Sequence, residues 1–202
     1  MRKVINGIVA LALVVTLTAC GAETAATIGK ETISLKTVQD AVTLTLKERA
    51  ATPSSSSTLE TGATLNRSML KFYFYSYVIE QIAKDKKLTV TPAEEAAERK
   101  NILDQIGGEA KLPGALVNAQ VTASQFPQFI RDQLLTKKIG DLADKLGIPN
   151  TNGEAIQALV IKFTKANSVK INPRLGVWDQ EKGDITAPVA NTAVATSPAT
   201  TK

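Results

Sequence analysis

Side chains able to do chemistry are sparse in these 202 residues. The chain has no histidine, so it holds no Ser-His-Asp or Cys-His nucleophile, no HExxH zinc site and no imidazole general base. Glu94, Glu95 and Glu98 lie close enough to suggest an acid–base pair. They open a predicted helix, however, where the helix dipole favours acidic side chains, and the reading is structural. Ser68 and Lys71 have the S-x-x-K spacing of serine–lysine acylating enzymes, as SMLK, without an SDN or KTG companion, and count as chance. No cofactor or metal is expected, and the chain is expected not to be an enzyme. What remains is one thiol, Cys20, which can form no internal disulfide and would be a reactive liability if left free outside a cell.

The surroundings of Cys20 give that thiol a use. Arg2 and Lys3 precede an apolar run from Ile8 to Leu17, followed by the small residues Thr18 and Ala19, which is the layout of a secretory signal. As a helix, Val4 to Leu17 would span about 21 Å, short of a hydrocarbon core about 30 Å thick. Leu17-Thr18-Ala19-Cys20 resembles the lipobox of bacterial lipoproteins, which implies cleavage between Ala19 and Cys20 and a diacylglyceryl group on the Cys20 sulfur. Two acyl chains hold a protein stably where one does so marginally. The expected location is the outer face of the cell membrane, through a lipid anchor.

With Arg2 and Lys3 removed, 22 basic face 19 acidic side chains, an excess too mild for a nucleic-acid partner. The chain divides into a signal peptide (1–19), a lipidated tether (20–24), a domain (25–184) containing a Ser/Thr-rich flexible loop (51–64), and a disordered Thr/Ala/Pro-rich tail (185–202).

Within the domain, two short β-prone runs flank Gly29-Lys30 and predict a hairpin. Ser34 caps a helix to about Arg49, with Leu35, Val38, Ala41, Val42 and Leu46 on one face. A longer helix over Leu65–Lys87 is apolar nearly all round at its middle, which predicts burial between other helices. Thr91-Pro92-Ala93-Glu94 is a capping box with proline at the first helical position, opening a helix to Ile106 that Gly107-Gly108 stops. Pro113 and Gly114 leave room for a short helix near Ala115–Ala119. Thr122 or Ser124 caps a helix containing Phe126, Phe129, Ile130, Leu135 and Ile139, and a last helix over Gly153–Ala166 precedes a strand at Val169–Ile171. The fold class is mainly α, a compact domain of about five to six helices. Its small β element is marginal in isolated pieces, so the N-terminal hairpin is expected to pair with the C-terminal strand.

Phe72-Tyr73-Phe74-Tyr75-Tyr77 gathers all three tyrosines on about one and a half turns of helix. The cluster reads either as core or, for the side chains off the core stripe, as the lining of a groove for apolar peptide segments. Tyr75, off the main stripe, is the foremost exposed candidate. Trp178 either caps the core or stays available to a ligand; the cap is favoured. Asn172, Pro173, Arg174 and Gly176 are expected to shape a turn.

Several segments carry a family likeness. Ala26-Thr27-Ile28-Gly29-Lys30-Glu31-Thr32-Ile33-Ser34, Val78 to Glu95 with its basic stop and L-x-V-T-x-E-E pattern, and Gln125 to Leu135 (QFPQFIRDQLL) occur in the order of the N-terminal domain of SurA-type periplasmic chaperones. Ile171-Asn172-Pro173-Arg174-Leu175-Gly176-Val177-Trp178-Asp179 is similar to the closing segment of that family's lipid-anchored, histidine-poor branch. The resemblance spans about residues 25–180.

Larger relatives carry parvulin-type prolyl isomerase domains. Here only residues 147–168 separate Leu146 from Val169, where a domain needs upwards of about 50 residues, so foldase activity is not expected. The resemblance therefore implies holding of unfolded or exported polypeptides, with Phe72, Tyr73, Tyr75, Tyr77, Phe126, Phe129 and Trp178 as candidate peptide-binding residues. The alternative is a structural or adaptor lipoprotein that binds one folded envelope partner.

Overall fold

The computed structural model describes residues 23–52, 59–150 and 153–188. The predicted signal peptide, Cys20, residues 53–58 of the Ser/Thr-rich segment and the tail beyond Pro188 lie outside the described residues. The architecture is mainly α, as expected. A hairpin, β1 (Thr24–Ile28) and β2 (Glu31–Ser34), leads into α1 (Leu35–Ala51). There follow α2 (Gly62–Asp85), α3 (Pro92–Ile106), α4 (Leu112–Ala119), α5 (Phe126–Lys145) and α6 (Glu154–Ala166). Three short strands close the order: β3 (Val169–Ile171), β4 (Val177–Asp179) and β5 (Asp184–Thr186).

The expected pairing of chain ends is present. β1 is the middle strand of an antiparallel sheet in the order β2-β1-β3, with Ala26 opposite Ile171, Thr27 opposite Lys170 and Ile28 opposite Val169. Asn172 extends the seam: its backbone N–H donates to Ala25 O at 2.9 Å and its side-chain amide to Thr24 O at 3.0 Å. Its own carbonyl accepts from Leu175 N, making the turn that Asn172-Pro173-Arg174 predicts.

β4 and β5 form a second antiparallel pair. This corrects the sequence reading, in which the tail began at residue 185, because Ile185 is fully buried and Asp184–Thr186 is a strand. Gly176 serves this pair through space rather than through a turn conformation. A β-carbon there would lie 2.6 Å from Thr186 O, and Gly176 is not among the residues with positive φ.

α2 is the hub. Its buried residues fall on two opposed faces, Leu70, Phe74, Val78 and Ile82 on one and Leu65, Met69, Ser76 and Ala83 on the other. α1, α5, α6 and the hairpin all pack against it. A smaller apolar cluster of Leu112, Leu116, Val121, Phe126 and Ile130 binds α4 and the first half of α5 to Ile102, Leu103 and Ile106 of α3. α1 departs from the expected stripe in one place: Leu46 is 48% exposed, and Thr45 is buried instead, its hydroxyl donating to Ala41 O at 2.8 Å.

Caps explain the helix limits. Ser34 Oγ accepts from Thr37 N at 3.0 Å, and Thr91 and Glu94 form the reciprocal capping box. Thr122 and Gln125 make a second box ahead of α5, Thr122 Oγ1 accepting from Gln125 N and Gln125 Oε1 from Thr122 N. α4 begins at Leu112, earlier than predicted, because a proline is tolerated in a first turn. α2, α4 and α5 end in the same six-to-one closure: Leu88 N to Ala83 O, Val121 N to Leu116 O and Ile148 N to Ala143 O. Gly147 supplies the left-handed residue in α5, whereas Lys87 (φ 57°) and Gln120 (φ 58°) supply it in α2 and α4. The left-handed conformation costs a residue bearing a β-carbon about 1–2 kcal/mol, part of which a glycine returns as unfolded-state entropy. Lys87→Gly is therefore expected to stabilise the fold by about 0.5–1 kcal/mol in urea titrations at unchanged m value.

Candidate functional site

An open groove runs between α2 and α5, with a cavity volume of about 700 Å³. α2 contributes Met69, Phe72, Tyr75 and Ile79; Phe129 comes from α5 and Val121 from the segment before it. Phe72 and Phe129 are partly exposed. Small side chains keep the groove open, for Ser68 and Ser76 on α2 and Thr136 on α5 occupy positions where larger residues would fill it.

The groove floor is polar at one point. The Ser76 hydroxyl donates to the Asp132 carboxylate, and Gln128 Nε2 donates to Asp132 Oδ1 at 2.8 Å. Burial pushes the Asp132 carboxyl above the usual carboxylate range, against the pull of those two donors. Beyond it, Arg131 reaches Glu80 at 3.4 Å and Glu95 at 2.9 Å, tying α5 to α2 and α3. Glu94 is held down to about 2 by the Lys138 ammonium, 2.6 Å away, and by the Thr91 N–H and hydroxyl. Glu94 and Glu95 are thus engaged in a cap and an ion pair, which is the structural role expected of them.

At one end of the groove Arg49 donates to Glu60 O at 2.5 Å and to Gln120 Oε1 at 2.8 Å, and Gln120 Oε1 also accepts from Glu60 N. This knot holds the end of α1, the entry to α2 and the end of α4 together. Lys71 of the SMLK segment is ion-paired to Asp184 at 2.7 Å, so its amine is engaged by β5. Among the described residues no group of three His, Cys, Asp or Glu is placed to hold a metal ion.

The candidate aromatics separate into four locations. Phe72, Tyr75 and Phe129 share the α2–α5 groove. Tyr73 and Tyr77 lie with Phe72 along a smaller cleft of about 330 Å³ that also takes in Gln125 and Gln128. Phe126 is buried in the α3–α4–α5 cluster, and Trp178 caps the core with its ring centroid 4.9 Å from that of Phe74, so neither joins the groove. Cys20 and Ala19 lie outside the described residues.

Tyr75 corrects the expectation of exposure. Its hydroxyl reaches Gly183 O at 2.7 Å and Asp184 Oδ1 at 2.9 Å, and burial, with the Asp184 charge second, raises it above the usual phenol range. Its ring lines the groove while its polar end is tied to β5. Met69, Ser76, Ile79 and Asp132 were not singled out in the sequence. Ser76 is the one polar residue amid the aromatic run, and that interruption was the available signal.

A family model described as SurA-like N-terminal domain matches residues 1–140. No curated protein and no solved structure matches.

Asp184 gives this region an acid dependence. Burial alone would raise its carboxyl, but the Lys71 ammonium and the Tyr75 hydroxyl hold it below its ordinary value near 3.8. A depressed native value adds stability that is full above the unfolded value and lost as pH falls below it. Tyr75→Phe is expected to cost about 1–2 kcal/mol at pH 7 and to flatten the loss of stability below about pH 4. Urea midpoints measured from pH 2 to 7 check both effects.

Proposed function

Because the chain belongs to the SurA-like N-terminal domain family, we propose that it is an exported lipoprotein that holds unfolded or nascent polypeptides at the outer face of the cell membrane, without catalysis. The observation that carries this reading is the α2–α5 groove. It offers the partly exposed rings of Phe72 and Phe129 over a floor of buried apolar side chains, Met69, Ile79 and Val121, with little fixed polar chemistry to demand one sequence. Sequence-tolerant binding needs such a surface, since contact area rather than a hydrogen-bond pattern then supplies the affinity. Thr136, Gln133 and Lys137 line the same groove and can meet the exposed backbone of a bound segment.

The chain from Gly21 to Lys202 is expected to suppress light scattering by a chemically denatured, aggregation-prone protein in proportion to its concentration. Phe72→Ala combined with Phe129→Ala should require several-fold more protein for equal suppression, whereas Leu46→Ala, an exposed apolar residue on α1, should leave it unchanged. Failure to suppress scattering by any of several clients would move the reading to an adaptor with one folded partner.

The anchoring claim has its own test. Cys20→Ala in the full chain is expected to abolish incorporation of labelled fatty acid and to release the protein from the membrane fraction. A variant that is cleaved, unlabelled and still membrane-bound would refute lipidation as the means of attachment.

A further inference from the structure

Further along α5 from the groove, the end of that helix and the face of α6 enclose an apolar cleft of about 200 Å³. Ile139, Leu142 and Ala143 line it from α5, Leu146 and Ile148 from the segment after that helix, and Ala155, Ala158 and Leu159 from α6. Its lip is the segment Leu146-Gly147-Ile148-Pro149, where Leu146 is 66% and Ile148 47% exposed. Two of the four large hydrophobic residues that are exposed among the described residues thus sit two positions apart. The lip is held rigidly, since Ile148 N donates to Ala143 O at 2.9 Å and Gly147 N to Asp144 O at 3.0 Å in the motif that closes α5.

Charge surrounds this patch with one dominant sign. Lys86, from the end of α2, and Lys162 of α6 line the cleft, and Lys145 immediately precedes the lip. Among the described residues none of these three is ion-paired to a carboxylate, although most other lysines on α5 and α2 that flank carboxylates are so engaged, Lys137 with Asp141 and Lys71 with Asp184 among them. Asp144 and Asp85 offset part of the charge, and Lys84, Lys87 and Lys165 on the same helix ends outnumber them.

We infer that the Leu146–Pro149 lip and its lysine rim are a docking surface for an anionic phospholipid bilayer. Rigid exposed aliphatic side chains suit the boundary between headgroups and acyl chains, and lysines whose stems lie along the apolar rim keep their ammonium groups at headgroup phosphates. Unpaired lysines gain from a negative surface what ion-paired ones would forfeit. An apolar lip ringed by lysines matches, by charge complementarity, the negative headgroup layer over an apolar interior of such a bilayer. The contact is separate from any anchor at Cys20 and from the α2–α5 groove. It would hold the domain in a fixed attitude on the membrane rather than swinging on a tether.

The test uses the mature chain from residue 20 with Cys20→Ser, so that no acyl chain contributes. It is sedimented with vesicles of phosphatidylcholine alone or with phosphatidylglycerol added. Binding is expected only with phosphatidylglycerol and should weaken steeply with salt. Leu146→Asn with Ile148→Asn should weaken it about tenfold or more, and so should Lys86→Gln, Lys145→Gln and Lys162→Gln together. Circular dichroism confirms that both variants are folded, and Leu46→Asn serves as an exposed apolar control. Absence of binding to the anionic vesicles, or binding that both variants retain, would overturn the inference. So would a concentration-dependent dimer in sedimentation velocity that Leu146→Asn abolishes, because the lip would then be an interface between copies. None of these outcomes bears on aggregation suppression, which tests the groove.

Discussion

The ring of Phe74 is completely buried at the centre of a helix that has a second buried face on its opposite side. A helix buried on two sides cannot be covered by one partner, and this requirement organises the fold. α5 covers one side. On the other, the cover comes from both ends of the sequence: the hairpin from the N-terminal side, and α6, β4 and β5 from the C-terminal side. Burying a side chain as large as phenylalanine contributes about 1.5–3 kcal/mol, so Trp178, stacked on Phe74, and Ile185, fully buried beside it in the core, are needed where they lie. Gly176 follows from this, since only a residue without a β-carbon lets β4 and β5 approach closely enough to bring Trp178 over Phe74.

The groove is a by-product of the same arrangement. α2 and α5 pack through large residues at Ile79, Leu135 and Ile139 but face each other through Ser68, Ser76 and Thr136 along part of their length. Interiors close to crystal-like density when side chains can fill the gap. Here they cannot collapse inward, because Asp132 must keep its donors Ser76 and Gln128 or leave a buried carboxylate without partners. A polar contact at the floor therefore preserves an apolar opening above it. The carboxylate raised by burial is the mark of that compromise.

What could be read in the sequence was what local chemistry specifies. The hairpin turn, the Ser34 cap, the Thr91–Glu94 box and the Gly107 stop depend on residues within a few positions of one another, and each fell where its pattern placed it. The pairing of β1 with β3 was legible for a different reason: three-residue strands are not stable alone, so two orphans imply each other. β4 and β5 escaped notice because Val177-Trp178-Asp179 and Asp184-Ile185-Thr186 are too short to show alternation, and Ile185 is buried by Phe74 and its neighbours rather than by any local pattern. Tyr75 was misplaced for the same cause. Its position off the main stripe of α2 suggested exposure, but its hydroxyl is claimed by Gly183 and Asp184 from more than a hundred residues away. The exchange of Leu46 for Thr45 on α1 shows that a hydroxyl bonded to its own helix can be buried as readily as a leucine.

The family match ends at residue 140, inside α5, while the core does not. α6 packs on α2, β3 completes the sheet through β1, and Leu175, Trp178 and Ile185 belong to the same apolar cluster as Phe74. Residues 1–140 alone would leave the outer face of α2 and one edge of β1 open to water. The C-terminal segment is thus packed into the same unit as the matched residues, through apolar fit, the close approach at Gly176, the bonds of Asn172 to β1 and those of Gly183 and Asp184 to α2.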